Sequence, residues 1–239
     1  MPEVQKDQTM PDGAWKFDES VATVFDDMLA RSIPQYEEMR RLVFEFGCRF
    51  VQSNTAVVDL GCSRGEALTR LVDRFGAQNQ FVGIDVSEPM LEAARSRFKG
   101  YIDASIVRVK NLDLRTAYPE VRASLTLCVL TLQFTPIEYR QKIVRKIFEH
   151  TNSGGALILV EKVLGGTASM DDVLVAQYYA LKRDNGYTQD QIDRKRLSLE
   201  GVLVPVTAKW NEEILAAAGF REVECFWRWS NFAGWLAVK

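Results

Sequence analysis

Asp59 closes a short apolar run, Val57-Val58-Asp59-Leu60, and the chain then reads Gly61-Cys62-Ser63-Arg64-Gly65. An acid at the end of a buried strand, a Gly-x-x-x-Gly turn and a helix-compatible run together deliver a ligand to the carboxyl edge of an α/β sheet. Gly61 and Gly65 let the backbone approach that ligand closely, which a Cβ would prevent. The alternative is an ordinary strand-to-helix turn. The spacing fits neither a phosphate loop nor the usual dinucleotide fingerprint. Asp85 ends the next strand, in Gly83-Ile84-Asp85-Val86-Ser87. A carboxylate there can accept two hydrogen bonds from a ribose, or it can cap the helix that starts near Ser87. Asp113, in Asn111-Leu112-Asp113-Leu114, follows the third strand. It either sits beside an adenine amino group or is a solvated turn acid. Asp59 either holds a ligand ammonium or ties down its own loop. Acids at three successive strand ends point to a nucleoside, and NAD is the competitor whose glycine spacing does not fit.

The elements that must position these acids follow from the pattern of apolar residues and breakers. Helices are expected over 19–30 and 36–51, separated by Ser32-Ile33-Pro34. Strands over 56–60, 81–85, 105–110, 124–130 and 156–161 alternate with helices over 66–74, 88–98 and 137–149. Such alternation implies a parallel, doubly wound sheet. Helices over 168–184 and 190–199 read as an insertion, and 211–218 is a late helix stopped by Gly219. Two apolar-rich strands, 222–229 and 232–238, end the chain as a hairpin. The expected organisation is a flexible N-terminus over 1–14 and one domain over 15–239, with N-terminal helices within 15–51 and a helical insertion within 168–205.

Composition narrows the function. A net charge of −2 gives no electrostatic footprint for direct nucleic-acid binding. The polar segment 1–13 is not a signal peptide, and no apolar run is long enough to span a membrane. The four cysteines are scattered without metal-type spacing, so reduced thiols in a cytoplasmic enzyme are expected and no metal site is. The single histidine, His150, leaves little material for a His-based zinc site or a Ser-His-Asp triad and is expected on the surface at a helix end.

The Asp59–Gly65 segment is similar to the S-adenosylmethionine (SAM) loop of class I methyltransferases. Longer stretches resemble the carboxy-SAM synthases, a group within that superfamily. They are Trp15-Lys16-Phe17-Asp18-Glu19, Phe25-Asp26-Asp27-Met28, Arg31-Ser32-Ile33-Pro34-Gln35-Tyr36, Thr131-Leu132-Gln133-Phe134, Glu161-Lys162, Lys182-Arg183-Asp184-Asn185-Gly186-Tyr187, Lys195-Arg196 and Ser230-Asn231-Phe232. The resemblance runs from Trp15 to the C-terminus. It implies a Rossmann-like α/β fold, a seven-stranded, mostly parallel sheet with an antiparallel C-terminal hairpin and helical additions. It implies SAM as substrate or donor, and a homodimer. Such synthases use prephenate to convert SAM to carboxy-SAM for tRNA wobble-uridine modification. By resemblance Tyr36, Gly61, Cys62, Ser63, Asp85 and Asp113 contact SAM, with Val86, Leu114 and Val129 beside them. Arg196 matches an arginine that reaches the carboxylate from the neighbouring subunit.

The chain departs from that group where Val86 and Val129 replace two asparagines, where Thr188 to Arg194 differ, and in the aromatic tail Trp227-Arg228-Trp229 and Trp235. Losing two amides makes a pocket less polar, and a site built to hydrogen-bond a second polar substrate rejects a lost partner strongly. The reaction expected first is therefore the attack of SAM's own α-amine on its γ-carbon, giving azetidine-2-carboxylate and methylthioadenosine, as in the methyltransferase-like azetidine-2-carboxylate synthases. Ring closure needs mainly a fixed conformation. An aromatic face would hold the sulfonium for roughly 0.5–2 kcal/mol. Tyr178 and Tyr179 lead the candidate rings, with Tyr187, Trp15 and Phe134, although each could be ordinary packing. Asp59 would take the amine's proton. Carboxy-SAM synthesis is the second reading and methylation of a small molecule the third. A SAM-binding module without turnover is the fourth, and the run Arg194-Lys195-Arg196 would then be an interaction surface.

Overall fold

The computed structural model describes residues 6–239. Two helices, α1 (Glu19–Ser32) and α2 (Tyr36–Phe50), precede the sheet. Strand β1 (Ala56–Leu60), helix α3 (Glu66–Phe75), strand β2 (Gln80–Asp85), helices α4 (Glu88–Arg97) and α5 (Lys99–Asp103) and strand β3 (Val107–Asn111) form the first half. Strand β4 (Ala123–Val129), helix α6 (Ile137–His150) and strand β5 (Thr151–Leu164) follow. The insertion is α7 (Ala168–Asp184) and α8 (Gln189–Leu199), and β6 (Val206–Thr207) leads into α9 (Ala208–Ala218) and the hairpin β7 (Glu222–Trp229) and β8 (Phe232–Val238).

The strands lie in the order β3-β2-β1-β4-β5-β8-β7. Pairings from β3 through β5 are parallel, and β8 is antiparallel to both β5 and β7. This is the expected seven-stranded sheet, with one addition: β6 pairs with the end of β5, Val163 opposite Val206. The chain progresses outward in one direction from β1 to β3 and in the other from β4, so the order of connection reverses between the parallel neighbours β1 and β4. Their carboxyl ends therefore part, leaving the crevice where open α/β sheets take ligands.

Alternation along β1 builds both faces of the core. Val58 and Leu60 join Ile143, Val144 and Ile147 of α6 and Ile214 and Leu215 of α9. Val57 faces the other way, among Met39 and Val43 of α2, Leu68, Leu71 and Val72 of α3, and Tyr178 of α7. Asp59 shares the parity of Val57 and so enters the α2–α3 side. A smaller cluster of Trp15, Val21, Phe25, Met28 and Met90 fastens α1 to α4.

One expectation needs correction. Residues 1–5 of the expected flexible terminus lie outside the described residues, but the part that follows is anchored. Asp7 is wholly buried; its carboxylate pairs with Lys195 and accepts from Tyr187 Oη at 2.6 Å, and Arg31 Nη2 donates to its carbonyl at 2.9 Å. His150 ends α6, as expected, and is partly exposed, with Tyr118 against its ring at 4.7 Å between centroids. In the hairpin, Trp235 is fully buried with its Nε1 donating to Glu212, whereas Trp229 is exposed.

Candidate active site

A cavity of about 680 Å³ opens at the carboxyl ends of β1 and β4, under α1, α7 and α8. Its first wall is the Asp59–Ser63 segment. Gly61 and Cys62 both donate to Ile84 O at 2.8 Å, which folds the chain sharply back over β2. The turn needs left-handed backbone at Gly61 (φ 73°), Ser63 (φ 48°) and Gly65 (φ 85°). A Cβ on Gly61 would come within 2.3 Å of Thr131 Oγ1, so glycine is required by sterics as well as by φ. Asp59 is 1% exposed, and its Oδ2 has no hydrogen-bond partner among the described residues. Burial pushes its carboxyl up to about 7, with Arg40 opposing and Glu66 and Asp85 reinforcing the shift. An orphaned acid beside a glycine turn that excludes a Cβ fits an ammonium-bearing ligand such as SAM.

Of the residues expected at the site, Tyr36, Asp59, Gly61, Cys62, Ser63, Val129, Tyr178, Tyr179 and Arg196 line this one cavity. Trp15 and Phe134 line it too, but Tyr187 does not. The Tyr187 ring is instead covered by Arg31 at 4.1 Å and Lys195 at 4.7 Å, and its hydroxyl is committed to Asp7. Arg196 lines the cavity of its own chain. Burial pushes the Tyr36 phenol up to about 12, which keeps it neutral as a donor. Cys62 is buried with its thiol pushed up, so it is packing and not a nucleophile.

Asp85, Val86, Asp113 and Leu114 lie outside the cavity lining, at the adjoining ends of β2 and β3. Asp85 has a structural duty there. Its Oδ2 accepts from Ser63 N at 2.9 Å, and its Oδ1 from Val86 N at 2.7 Å and Ser87 N at 2.9 Å. It thus locks the glycine loop to β2, while Ser87 caps α4. A carboxylate has about four acceptor sites, so capacity for a ribose hydroxyl remains. Asp113 is held by Arg115 through Nε and Nη2, at 2.9 and 2.6 Å to Oδ2. That fork holds its carboxyl below the usual range and describes the turn-acid alternative. Val86 is 62% exposed. Only Val129 of the two valines therefore lowers the polarity of the cavity, which corrects the expectation drawn from both.

Several lining residues carried no assigned role in the sequence. Phe17 packs edge-on to Phe134 at 5.1 Å and to Trp15 at 6.1 Å, making an aromatic wall. Arg40, Lys162, Lys182 and Lys195 bring positive charge. The floor is fixed by Glu161, which accepts from Leu132 N at 2.9 Å, and by Gln133 Oε1, which accepts from Lys162 N at 2.7 Å. Among the described residues no group of three His, Cys, Asp or Glu is placed to hold a metal ion, and no helix is long and apolar enough to cross a membrane.

Residues 57–155, from β1 into β5, match the methyltransferase domain family. A carboxy-S-adenosyl-L-methionine synthase of Methylococcus capsulatus is 43% identical over 224 residues, covering 93% of each chain. The chain belongs to the carboxy-SAM synthase family. A second such synthase, from Wolinella succinogenes, is 41% identical over 94% of this chain and 93% of its own. Solved structures agree on the fold. An O-methyltransferase family protein from Burkholderia thailandensis matches with a TM-score of 0.64 at 16% identity over 93% of this chain, which spans 60% of that chain. Human N-acetylserotonin methyltransferase in complex with SAM matches with a TM-score of 0.61 at 14% identity over 92% of this chain and 55% of its own. Within the carboxy-SAM synthase family, this cavity joins the glycine loop and its buried acid to an aromatic wall and a set of cations.

Proposed function

We propose that the protein takes SAM as a substrate and carboxylates its sulfonium methyl, with prephenate as the carboxyl donor. The observation that carries this reading is that one cavity is lined by two chemically different sets of residues. Asp59 and the Gly61–Ser63 turn suit the ammonium and backbone-facing parts of SAM. Lys162, Lys182 and Arg196 line the same cavity and suit an anion. Carboxylation breaks a methyl C–H bond of SAM and the bond from prephenate's ring carbon to its carboxyl, and it forms a C–C bond from the methyl carbon to that carboxyl carbon. It releases phenylpyruvate, with the methyl proton and the ring hydroxyl leaving as water, so the anionic donor must lie beside the sulfonium. The family supports the same choice of reaction. The test is mass spectrometry of products from SAM with and without prephenate. Carboxy-SAM formed only when prephenate is present supports the reading, and its absence refutes it.

Cyclisation of SAM to azetidine-2-carboxylate is a second reading, favoured by one feature. Asp59 has an unpartnered oxygen and titrates near 7, so it can accept a proton from the α-amine before ring closure. Methylthioadenosine from SAM alone is its signature. Methylation would yield S-adenosylhomocysteine (SAH), and a binding module would yield no product. Both expected partners are small molecules, and the homodimer expected from the resemblance is part of this proposal.

A further inference from the structure

The cations around the cavity come from two places. Lys162, Lys182, Lys195 and Arg196 belong to the end of β5 and to the insertion helices, whereas Arg40 belongs to α2. Helix α2 packs on the face of the sheet that Asp59 enters, with Met39 and Val43 in one cluster with Val57. Arg40 follows Tyr36 by four residues, so both side chains leave the same face of α2. The guanidinium carbon lies 6.0 Å from the centre of the Tyr36 ring, and both residues line the cavity. The acids nearby are taken. Arg41 binds Glu38 and Glu45, and Glu66 is bound by Arg97 at 2.9 Å with Arg64 at 3.6 Å. Arg40 is half-buried and makes no ion pair among the described residues.

Its relation to Asp59 is informative. Arg40 is the charge that favours the ionised Asp59 carboxylate, yet burial outweighs it, and Asp59 Oδ2 keeps no partner. Two opposite charges therefore border one cavity without touching. A direct pair would satisfy both groups and fill the space between them. Held apart, each forfeits solvation that the protein does not return. A ligand that carries both signs on neighbouring atoms restores both. An α-amino acid is such a group, because its ammonium and carboxylate share one carbon, and a guanidinium matches a carboxylate through two parallel hydrogen bonds. Adenine and ribose carry no such pair of charges. We propose that Arg40 holds the α-carboxylate of SAM while Asp59 holds its ammonium, so that the methionine end of the ligand is read as a zwitterion. Arg40 is then a specificity-determining residue. An adenosyl thioether or sulfonium without that carboxylate leaves the guanidinium unpaired and is rejected. This role deepens the proposed function and rests on its placement of the ammonium at Asp59. It leaves Lys162, Lys182 and Arg196 free for the second substrate.

The experiment is isothermal titration of three ligands into wild type, Arg40→Met and Arg40→Lys. They are SAH, its decarboxylated analogue, which keeps the amine, and methylthioadenosine, which lacks both charged groups. Wild type should bind SAH roughly tenfold or more tighter than the decarboxylated analogue. Arg40→Met should weaken SAH by about that factor and leave the other two ligands within about twofold, so that the preference for the carboxylate disappears. Arg40→Lys should keep part of the preference, since a lysine retains the charge but not the fork. An arginine that only supports α2 would move all three ligands together. That result, or SAH affinity in Arg40→Met within twofold of wild type, overturns the role. Wild type that binds SAH and the decarboxylated analogue equally overturns it without any variant. Product analysis with SAM and prephenate separates this from the parent reading. Arg40-dependent recognition of the carboxylate without any carboxy-SAM from wild type overturns the reaction and leaves Arg40 standing. Carboxy-SAM from a wild type that shows no preference for the carboxylate overturns Arg40 alone.

Discussion

Replacing Gly61 by alanine adds one methyl group at the tightest point of the cavity wall. Two costs can be worked separately. The residue sits at φ 73°, where an L side chain costs about 1–2 kcal/mol. The new Cβ would also meet Thr131 at 2.3 Å from Oγ1, 2.4 Å from Cγ2 and 2.8 Å from Cβ. No rotamer of Thr131 removes the last of these, so the loop or β4's exit must move, at about 1–3 kcal/mol for overpacking. The total is about 2–5 kcal/mol. It divides between stability and ligand affinity, because shifting the loop relieves the clash by misplacing Asp59 and Ser63. Calorimetric titration with SAH and thermal melting of the same samples measure both parts. SAH binding should weaken by about 30-fold or more, or the melting temperature should fall by roughly 4 °C or more, about 2 kcal/mol in either case. Thr131→Gly in the Gly61→Ala background removes the clash but not the backbone cost. It should recover the larger share and leave about 1–2 kcal/mol, a coupling read from the four-member cycle. Gly61→Ala that binds SAH within twofold and melts within a degree of wild type refutes the reasoning.

Asp59→Asn should flatten the pH dependence of SAH binding. In wild type the carboxyl is neutral below about pH 7 and becomes the ammonium's partner only above it, so affinity should rise between pH 6 and 8. The raised pKa also means that the folded protein holds the proton more tightly than the unfolded chain, so this acid erodes stability as pH climbs from about 4 to 7; denaturant melts should show Asp59→Asn gaining on wild type over that window, by up to about 4 kcal/mol. Asp7→Ala should cost about 3 kcal/mol, or roughly 6–12 °C in melting temperature, by stranding Lys195 and Tyr187. Arg196→Ala should leave SAH affinity intact while lowering carboxy-SAM formation at sub-saturating prephenate tenfold or more; unchanged turnover would remove Arg196 from the site.

The glycine loop and its acid were legible because their signals are local. An apolar run, an acid and two glycines lie within nine residues, and the strand–turn–helix grammar assigns each a place. The terminal hairpin was legible for the same reason. Asp113 reads differently in three dimensions because Arg115, two residues on, reaches back to fork its carboxylate. The pairing could have been suspected from that spacing, but no pattern sets it against a ligand. Val86 turns to solvent because Asp85 binds the Val86 and Ser87 amides and ends the strand there. The lysines are the clearest omission. Lys162 directly follows the apolar run Leu157–Val160 and Glu161, a charge at the mouth of a buried strand, and that conflict with burial was the available signal. Lys182 gave none, since a lysine near a helix C-terminus is ordinary.

The tie between Asp7 and Lys195 closes a loop of 188 residues. Local contacts and the parallel sheet can assemble while the chain is still being made, but this pair cannot. Asp7 must wait until α8 exists, so a segment synthesised before the sheet docks only after most of the sheet has been made. A long closure of this kind contributes to stability only after its entropy has been spent. The insertion helices that carry Lys182 and Arg196 are thereby settled on the cavity by a distant segment of the chain, and a protein made only as far as β5 has the glycine loop and the five parallel strands but neither Lys182 nor Arg196.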